Sequence, residues 1–169
     1  MISFNHKLKR KKMNLNKFLK VLVCLAIPLL VGSVAGLVTS PNIKEWYQYL
    51  EKPVFSPPNW IFGPMWTLLY ILMGVGLFLI LETEKNELRD KGVKVFAIQL
   101  AFNFVWSFLF FEFRLVGVAF FEILLIWVSV IWMITSFYPI NKKAALLQIP
   151  YLLWVSFASA LNGAVWILN

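Results

Sequence analysis

Between its first loop and its third helix the chain reads Phe62-Gly63-Pro64-Met65-Trp66-Thr67-Leu68-Leu69-Tyr70-Ile71-Leu72-Met73-Gly74-Val75-Gly76-Leu77-Phe78-Leu79-Ile80-Leu81, without one charged side chain. About 20 apolar residues are what an α-helix needs to cross the hydrocarbon core of a bilayer. The stretch therefore predicts a transmembrane helix. Outward from it, four more stretches have the same character: Phe18–Val38 before it, and about Val93–Phe113, Val116–Tyr138 and Ala144–Leu168 after it. No internal repeat or low-complexity run is visible, which disfavours an inverted-repeat transporter. The expectation is an all-α membrane protein, a bundle of five transmembrane helices.

Composition agrees with this. Of 169 residues, 60% are hydrophobic and 14% charged; a soluble domain averages roughly 45–50% and about 25%. The length suits one domain. There is one His, His6, and one Cys, Cys24. That excludes an intrachain disulfide and a Cys/His metal cluster. A His-based triad is excluded too, unless its base sits in the N-terminal tail.

The net charge of +8 is unevenly placed. Lys7, Lys9, Arg10, Lys11, Lys12, Lys17 and Lys20 precede Val21 with no acid among them. A nucleic-acid arm would need a nucleic-acid module, and none is visible. A secretory signal would need a cleavage site and a soluble mature chain. A basic cytoplasmic tail over residues 1–17, ahead of a single membrane domain over 18–169, fits best. With five spans, thirteen Lys and Arg fall on the side of that tail and three on the other. The positive-inside rule then puts the N-terminus in the cytoplasm, and the first loop and C-terminus outside.

That first loop, Thr39 to Ile61, is the longest connection and is rich in Trp and Pro. Pro53, Pro57, Pro58 and Pro64 crowd into twelve residues. Each fixes its own φ and restricts the residue before it, leaving little entropy to lose on packing. A rigid aromatic loop over a bundle reads as a lid; it also reads as an interfacial belt at headgroup level. Within the helices, Asn103, Trp106, Ser107 and Phe110 share one face of the third span. Gly63, Trp66, Thr67, Tyr70 and Gly74 do so on the second, and Tyr151, Trp154, Ala158 and Asn162 on the fifth. Carboxamides and hydroxyls in hydrocarbon seek partners, so these faces turn inward. Flat rings with a few polar groups suit a large flat ligand with polar edges. The same faces also suit plain aromatic packing with polar interhelical glue.

The motifs together resemble the TspO/MBR family, the tryptophan-rich sensory proteins of bacteria and the mitochondrial translocator proteins or peripheral-type benzodiazepine receptors. The first is Trp46-Tyr47-x-x-Leu50-x-Lys52-Pro53-x-Phe55-x-Pro57-Pro58-x-Trp60-x-Phe62-Gly63-Pro64-x-Trp66-Thr67-x-Leu69-Tyr70. The second is Asn103-x-x-Trp106-Ser107-x-x-Phe110-Phe111. The third runs from Pro150-Tyr151-Leu152-Leu153-Trp154 through Phe157-Ala158, Leu161-Asn162 and Trp166 to Asn169. The resemblance covers the chain from about Leu19 to the end.

It implies a compact five-helix bundle that binds tetrapyrroles such as protoporphyrin IX beneath the first loop. Isoquinoline carboxamide and benzodiazepine-type ligands use the same pocket in several members. By position, Trp46 and Tyr47 would close and line the pocket, and Trp66 and Trp154 would supply pocket tryptophans. Tyr70, Asn103, Trp106 and Ser107 would face it, and Ala158 would stand at a small-residue position that governs ligand binding. Trp154, with Trp46 and Tyr47, would carry any light-dependent porphyrin breakdown. No cofactor or metal is required; the porphyrin is the ligand.

The leading reading is thus a tetrapyrrole-binding sensory or regulatory protein of the bacterial plasma membrane, with no nucleic-acid partner. A light- and oxygen-dependent porphyrin-degrading enzyme and a porphyrin or sterol transporter are the alternatives. Glu122 on the fourth span reads as an intramembrane acid in a structural or a ligand role. Gly32-x-x-x-Gly36 and Ala97-x-x-x-Ala101 permit close helix approach. By resemblance, Ala97 and Ala101 mark a homodimer interface on the third helix. The animal sterol-recognition pattern is broken here: the aromatic is displaced and the terminal base is replaced by Asn169.

Overall fold

The computed structural model describes the backbone from Ile2 to Asn169 and the side chains from Leu15 onward. The side chains of the expected basic tail up to Asn14, His6 among them, lie outside the described residues. Six α-helices form: α1 (Ile2–Glu45), α2 (Phe62–Leu81), α3 (Glu87–Ser107), α4 (Val116–Phe137), α5 (Lys142–Leu146) and α6 (Ile149–Leu168). Short 3-10 turns at Tyr47–Tyr49 and Asn59–Ile61 lie between α1 and α2, and a π-helical turn, Phe108–Glu112, extends α3. No strand occurs among the described residues. Among the described residues five segments are long and apolar enough to cross a membrane. The fifth is built from α5 and α6 together, and the expected five-helix bundle is what forms.

The second span begins and ends where the uncharged stretch does. Two others differ from expectation. The first helix does not stop at Val38 but continues to Glu45. Counting apolar residues misses this extension, because polar side chains there serve the helix itself. Thr39 Oγ1 donates to Ala35 O at 2.8 Å and Asn42 Nδ2 to Val38 O at 3.0 Å. Asn42 Nδ2 also reaches Glu112 Oε2 at 3.3 Å, tying the extension to the π-turn. The loop is accordingly shorter than expected. The last span, expected as one helix from Ala144, is broken at Leu147–Gln148. Pro150 has no N–H to give and its ring crowds the carbonyl four residues back. The chain restarts with Leu152 N donating to Gln148 O at 3.0 Å.

The bundle is apolar outside as well as inside. Leu22, Leu30, Leu37, Phe121, Leu125, Val128 and Leu153 are exposed on its outer surface. Lipid would cover them, so burial from water does not separate core from surface here. Close packing and interhelical hydrogen bonds must hold the helices together. Packing is closest between α1 and α2. A Cβ placed on Gly74 would lie 2.7 Å from Cys24 O and 2.9 Å from Leu25 Cα. Between α2, α3 and α6 runs a buried polar chain. Tyr70 Oη donates to Asn103 Oδ1 at 2.6 Å, Asn103 Nδ2 donates to Tyr151 Oη at 2.9 Å, and Gln99 Nε2 donates to the same phenol. A second tie joins α3, α6 and α4: Trp106 Nε1 donates to Asn162 Oδ1 at 3.2 Å, and Asn162 Nδ2 to Val116 O at 3.0 Å.

The π-turn closes on Arg114, which has φ 55°. Phe113 N donates to Phe108 O and Leu115 N to Leu109 O, both at 2.9 Å. A left-handed residue at this point captures the last carbonyls of the helix. At the opposite end of the bundle, Glu82 pairs with Lys17 at 3.3 Å and Lys20 at 2.8 Å, joining α1 to the end of α2.

Candidate functional site

A cavity of about 340 Å³ lies between α1, α2, α3 and α6, at the end of the bundle that carries the first loop. Three aromatic faces contribute to its wall. Trp66 and Tyr70 of α2 stack with ring centroids 5.6 Å apart and planes 28° from parallel. Trp106 of α3 and Phe110 of the π-turn stack at 5.1 Å and 24°. Trp154 of α6 sets its ring against Phe62 at 5.9 Å and Phe157 at 5.5 Å. The helical spacing of these residues aims each pair the same way. Trp66 also meets the buried Tyr151 edge-on at 6.1 Å, so the wall is backed by the polar chain.

Polar groups on the wall are neutral. Among the described residues no Asp, Glu, Lys, Arg or His lines the cavity. Asn103 and Tyr70 present a carboxamide and a phenol already bonded to each other. Ser107 and Asn162 line it beside them. The indole Nε1 of Trp154 is buried and has no hydrogen-bond partner. A buried N–H without a partner costs free energy, so this indole is a donor on the wall available to a guest's acceptor. Ala158, one turn beyond Trp154, keeps the wall low there.

The first loop contributes two residues to the wall, Tyr47 and Asn59. Tyr47 is 4% exposed and packs its ring against Phe110 at 5.9 Å and Phe111 at 5.7 Å. Burial pushes its phenol pKa up, tempered by the Ser56 side chain. Lys52 Nζ sits 4.6 Å above that ring, and burial pulls its ammonium pKa down. Asn59 adds the other end of the loop to the wall.

Eight of the nine expected binding residues line this one cavity: Tyr47, Trp66, Tyr70, Asn103, Trp106, Ser107, Trp154 and Ala158. Trp46 does not. Because α1 continues to Glu45, Trp46 leaves the helix behind the wall. Its N–H bonds Asn42 O at 3.0 Å, and its ring lies 5.7 Å from Phe110 and 5.7 Å from the Arg114 guanidinium. It supports a lining residue instead of being one. Of the three residues expected to carry porphyrin breakdown, Tyr47 and Trp154 reach the cavity and Trp46 does not.

The wall supplied by α1 escaped the sequence reading. Leu29, Gly32, Ser33, Gly36, Thr39, Ser40 and Ile43 line the cavity. The Gly32-x-x-x-Gly36 pattern was the available signal, and its two glycines part company in the fold. A Cβ at Gly32 would come within 2.1 Å of the Tyr70 ring, whereas Gly36 has open space before it. The cavity is open along the seam between α1 and α2, where Ser33, Ser40, Gly63 and Thr67 both line it and are exposed. Glu122 is not on the wall. It is buried on α4, and neither carboxyl oxygen has a hydrogen-bond partner. Ala97 and Ala101 lie on an outward apolar groove with Ile27, Val31 and Phe104. Among the described residues no group of three or more His, Cys, Asp or Glu side chains could hold a metal ion.

Comparison with known proteins follows this geometry. A sequence model of the TspO/MBR family matches residues 24–167. The chain is 41% identical over 152 residues to the tryptophan-rich protein TspO of Archaeoglobus fulgidus, covering 89% of this chain and 97% of that one. It is 41% identical over 156 residues to the protein of the same name from Chlorobaculum tepidum, covering 90% and 98%. It is 36% identical over 125 residues to the human translocator protein, covering 72% and 73%.

Proposed function

The chain belongs to the TspO/MBR family of integral membrane proteins, and on that premise we propose that it is a sensory or regulatory protein that binds a protoporphyrin-class tetrapyrrole in the cavity under its first loop. The observation that carries this reading is the wall itself: stacked flat rings on three helices, neutral polar groups between them, and one unpartnered indole N–H. A planar macrocycle would slide against Trp66, Trp106 and Trp154, burying apolar area on both faces. The Trp154 N–H would meet an acceptor at its edge. The uncharged interior suits a macrocycle whose carboxylates stay at the open rim, because a carboxylate carried inside would find no cation.

Among the described residues no His, Cys or Met lines the cavity, so the usual axial ligands of haem iron are reduced there to the phenols of Tyr47 and Tyr70, and Tyr70 is already bonded to Asn103. The reading therefore favours the metal-free macrocycle over haem, as a guest and not a resident cofactor. Isoquinoline carboxamides and benzodiazepine-type compounds are flat and neutral enough for the same wall. The first loop acts as the lid in this reading, with Tyr47 as its inner face. Sensory and translocator names among the relatives fit a protein that responds to, or passes on, a hydrophobic guest. The proposed setting is a bacterial plasma membrane with the loop side outward, and the groove at Ala97 and Ala101 is where a second copy would pack.

One observation favours a second reading. Trp154 puts a redox-active indole on the wall, where it could give an electron to a light-excited porphyrin; with dioxygen as the oxidant that breaks the macrocycle, the guest would be a substrate.

The test is titration of protoporphyrin IX into the full chain in nanodiscs, in the dark, followed by tryptophan quenching. Saturable quenching, weakened about tenfold in affinity by Trp154→Phe, is expected; that corresponds to one lost hydrogen bond to the guest at about 1.4 kcal/mol. Haem should bind no more tightly than the free base. Absence of saturable binding refutes the porphyrin reading. Loss of porphyrin absorbance in light that needs Trp154 would move the protein to the enzymes. Movement of porphyrin across sealed vesicles would move it to the transporters.

A further inference from the structure

We propose that Asn169 is a positioning residue that latches the first loop over the cavity by gripping the backbone of Glu51. The Asn169 carboxamide meets Glu51 on both sides. Glu51 N donates to Asn169 Oδ1 at 3.0 Å, and Asn169 Nδ2 donates to Glu51 O at 3.1 Å. The same Nδ2 also donates to Val165 O at 2.8 Å, one turn back on α6. Both amide hydrogens and the oxygen are therefore committed, and the orientation of the group is fixed from its own helix. A carboxamide is the side chain that can pair with a backbone N–H and a backbone C=O at once.

The rest of the loop's backbone bonding is local. Tyr49 N bonds Trp46 O, Leu50 N bonds Tyr47 O, Ser56 N bonds Pro53 O and Ile61 N bonds Pro58 O. Among the described residues, Glu51 is the one position from 47 to 58 whose backbone is hydrogen-bonded to a distant helix. It lies between Tyr47 and Asn59, the two loop residues on the cavity wall. Pro53, Pro57 and Pro58 stiffen the segment that follows, so a grip at Glu51 is transmitted along it. Farther on, Phe55 touches Phe157 of α6 with centroids 6.3 Å apart, a contact without directionality. The latch thus sets how often the loop lifts, and with it the rate at which a guest escapes.

The consequence for the guest rests on the ligand site proposed above; the grip on the loop does not. The experiment separates the two. The full chain in nanodiscs is compared with Asn169→Ala and Asn169→Asp by hydrogen–deuterium exchange and by stopped-flow release of protoporphyrin IX. Asn169→Ala should speed exchange in peptides spanning 46–58 by roughly tenfold, as expected for loss of a pair of hydrogen bonds. Exchange in α2, α3 and α4 should stay at the parental rate. Asn169→Asp, which keeps the acceptor and loses the donor, should fall between. Porphyrin release should accelerate by about the same factor. Unchanged loop exchange in Asn169→Ala overturns the latch. Faster exchange throughout the bundle also overturns it, because Asn169 would then be a general stabiliser. Faster loop exchange with unchanged porphyrin release overturns its role toward the guest. Absence of porphyrin binding in the parent chain refutes the ligand reading, while loop exchange still decides the latch.

Discussion

Replacing Gly32 by alanine tests how the cavity wall is built. The added Cβ would lie 2.1 Å from Cε2, 2.5 Å from Cδ2 and 2.9 Å from Cζ of Tyr70. Carbon atoms in contact sit about 3.5–4.0 Å apart, so the ring or the helix must retreat by roughly 1.4 Å or more. The ring is not free to do so. Its hydroxyl is held by Asn103 at 2.6 Å, and its face is stacked on Trp66. Overpacking of this kind costs about 1–3 kcal/mol, and displacement of the phenol would forfeit a buried hydrogen bond of about 1 kcal/mol in addition. Gly36, one turn along the same helix, has nothing within 4 Å of its Cβ position. Both substitutions gain the same helix propensity, so their difference isolates the contact. Thermal unfolding of the two variants in one detergent should separate them by about 2–4 kcal/mol, or roughly 4–16 °C for a chain of this size. In a Tyr70→Ala background the gap should close. Equal stability of Gly32→Ala and Gly36→Ala would refute the packing argument and the placement of Tyr70 on which the wall depends.

Other outcomes follow from the same geometry. Asn103→Leu leaves the Tyr70 and Tyr151 phenols without their shared partner and should cost about 1–2 kcal/mol, since hydrogen bonds between membrane helices are worth little more than that; the check is thermal unfolding beside Asn103→Asp. Lys17 and Lys20 hold the Glu82 carboxyl below its ordinary pKa of 4.5. A lowered folded pKa means that this stabilisation is complete above the ordinary value and is lost as pH falls through the lowered one. Stability should therefore decline in acid below about pH 4, less steeply in Glu82→Gln and in high salt, as unfolding curves across pH 2–6 would show. Ala158→Phe should fill the low part of the wall and abolish porphyrin quenching while the α-helical circular dichroism stays at the parental level. Trp46→Phe should weaken binding far less than Trp154→Phe, because Trp46 stands behind Phe110 and does not reach the cavity; equal effects would refute that placement.

Much of this arrangement is legible in the chain because membrane spans are written in missing charges. Phe62–Leu81 needed nothing else. The aromatic faces of α2, α3 and α6 were legible because rings and neutral polar groups recur there at helical spacing, which places them on one side of each helix. What escaped notice was built from small or self-satisfying residues. Thr39 and Asn42 look like the start of a loop until their side chains turn back onto the helix carbonyls. Gly32 and Gly36 share a motif, yet one is a contact and the other a gap, which only the position of Tyr70 decides. Pro150 did announce the break in the last span, but hydropathy runs smoothly across it. The misplacement of Trp46 followed from the helix end: seven residues of additional α1 turn that side chain to the far side of Phe110. The grip of Asn169 on Glu51 joins residues 118 apart in sequence, and no local pattern encodes such a pairing.

The seam between α1 and α2 has a consequence for any solution assay. Ser33, Ser40, Gly63 and Thr67 belong at once to the cavity wall and to the surface that acyl chains would touch. A hydrophobic compound reaching the cavity by that route comes from the dissolved pool in the bilayer, not from the buffer. Occupancy is then governed by moles of compound per mole of lipid. Diluting the protein with empty vesicles at fixed total compound should strip the site, although the aqueous volume has not changed. Two laboratories using different lipid loads would report different dissociation constants for the same protein, and both values would collapse onto one curve when plotted against mole fraction in the membrane.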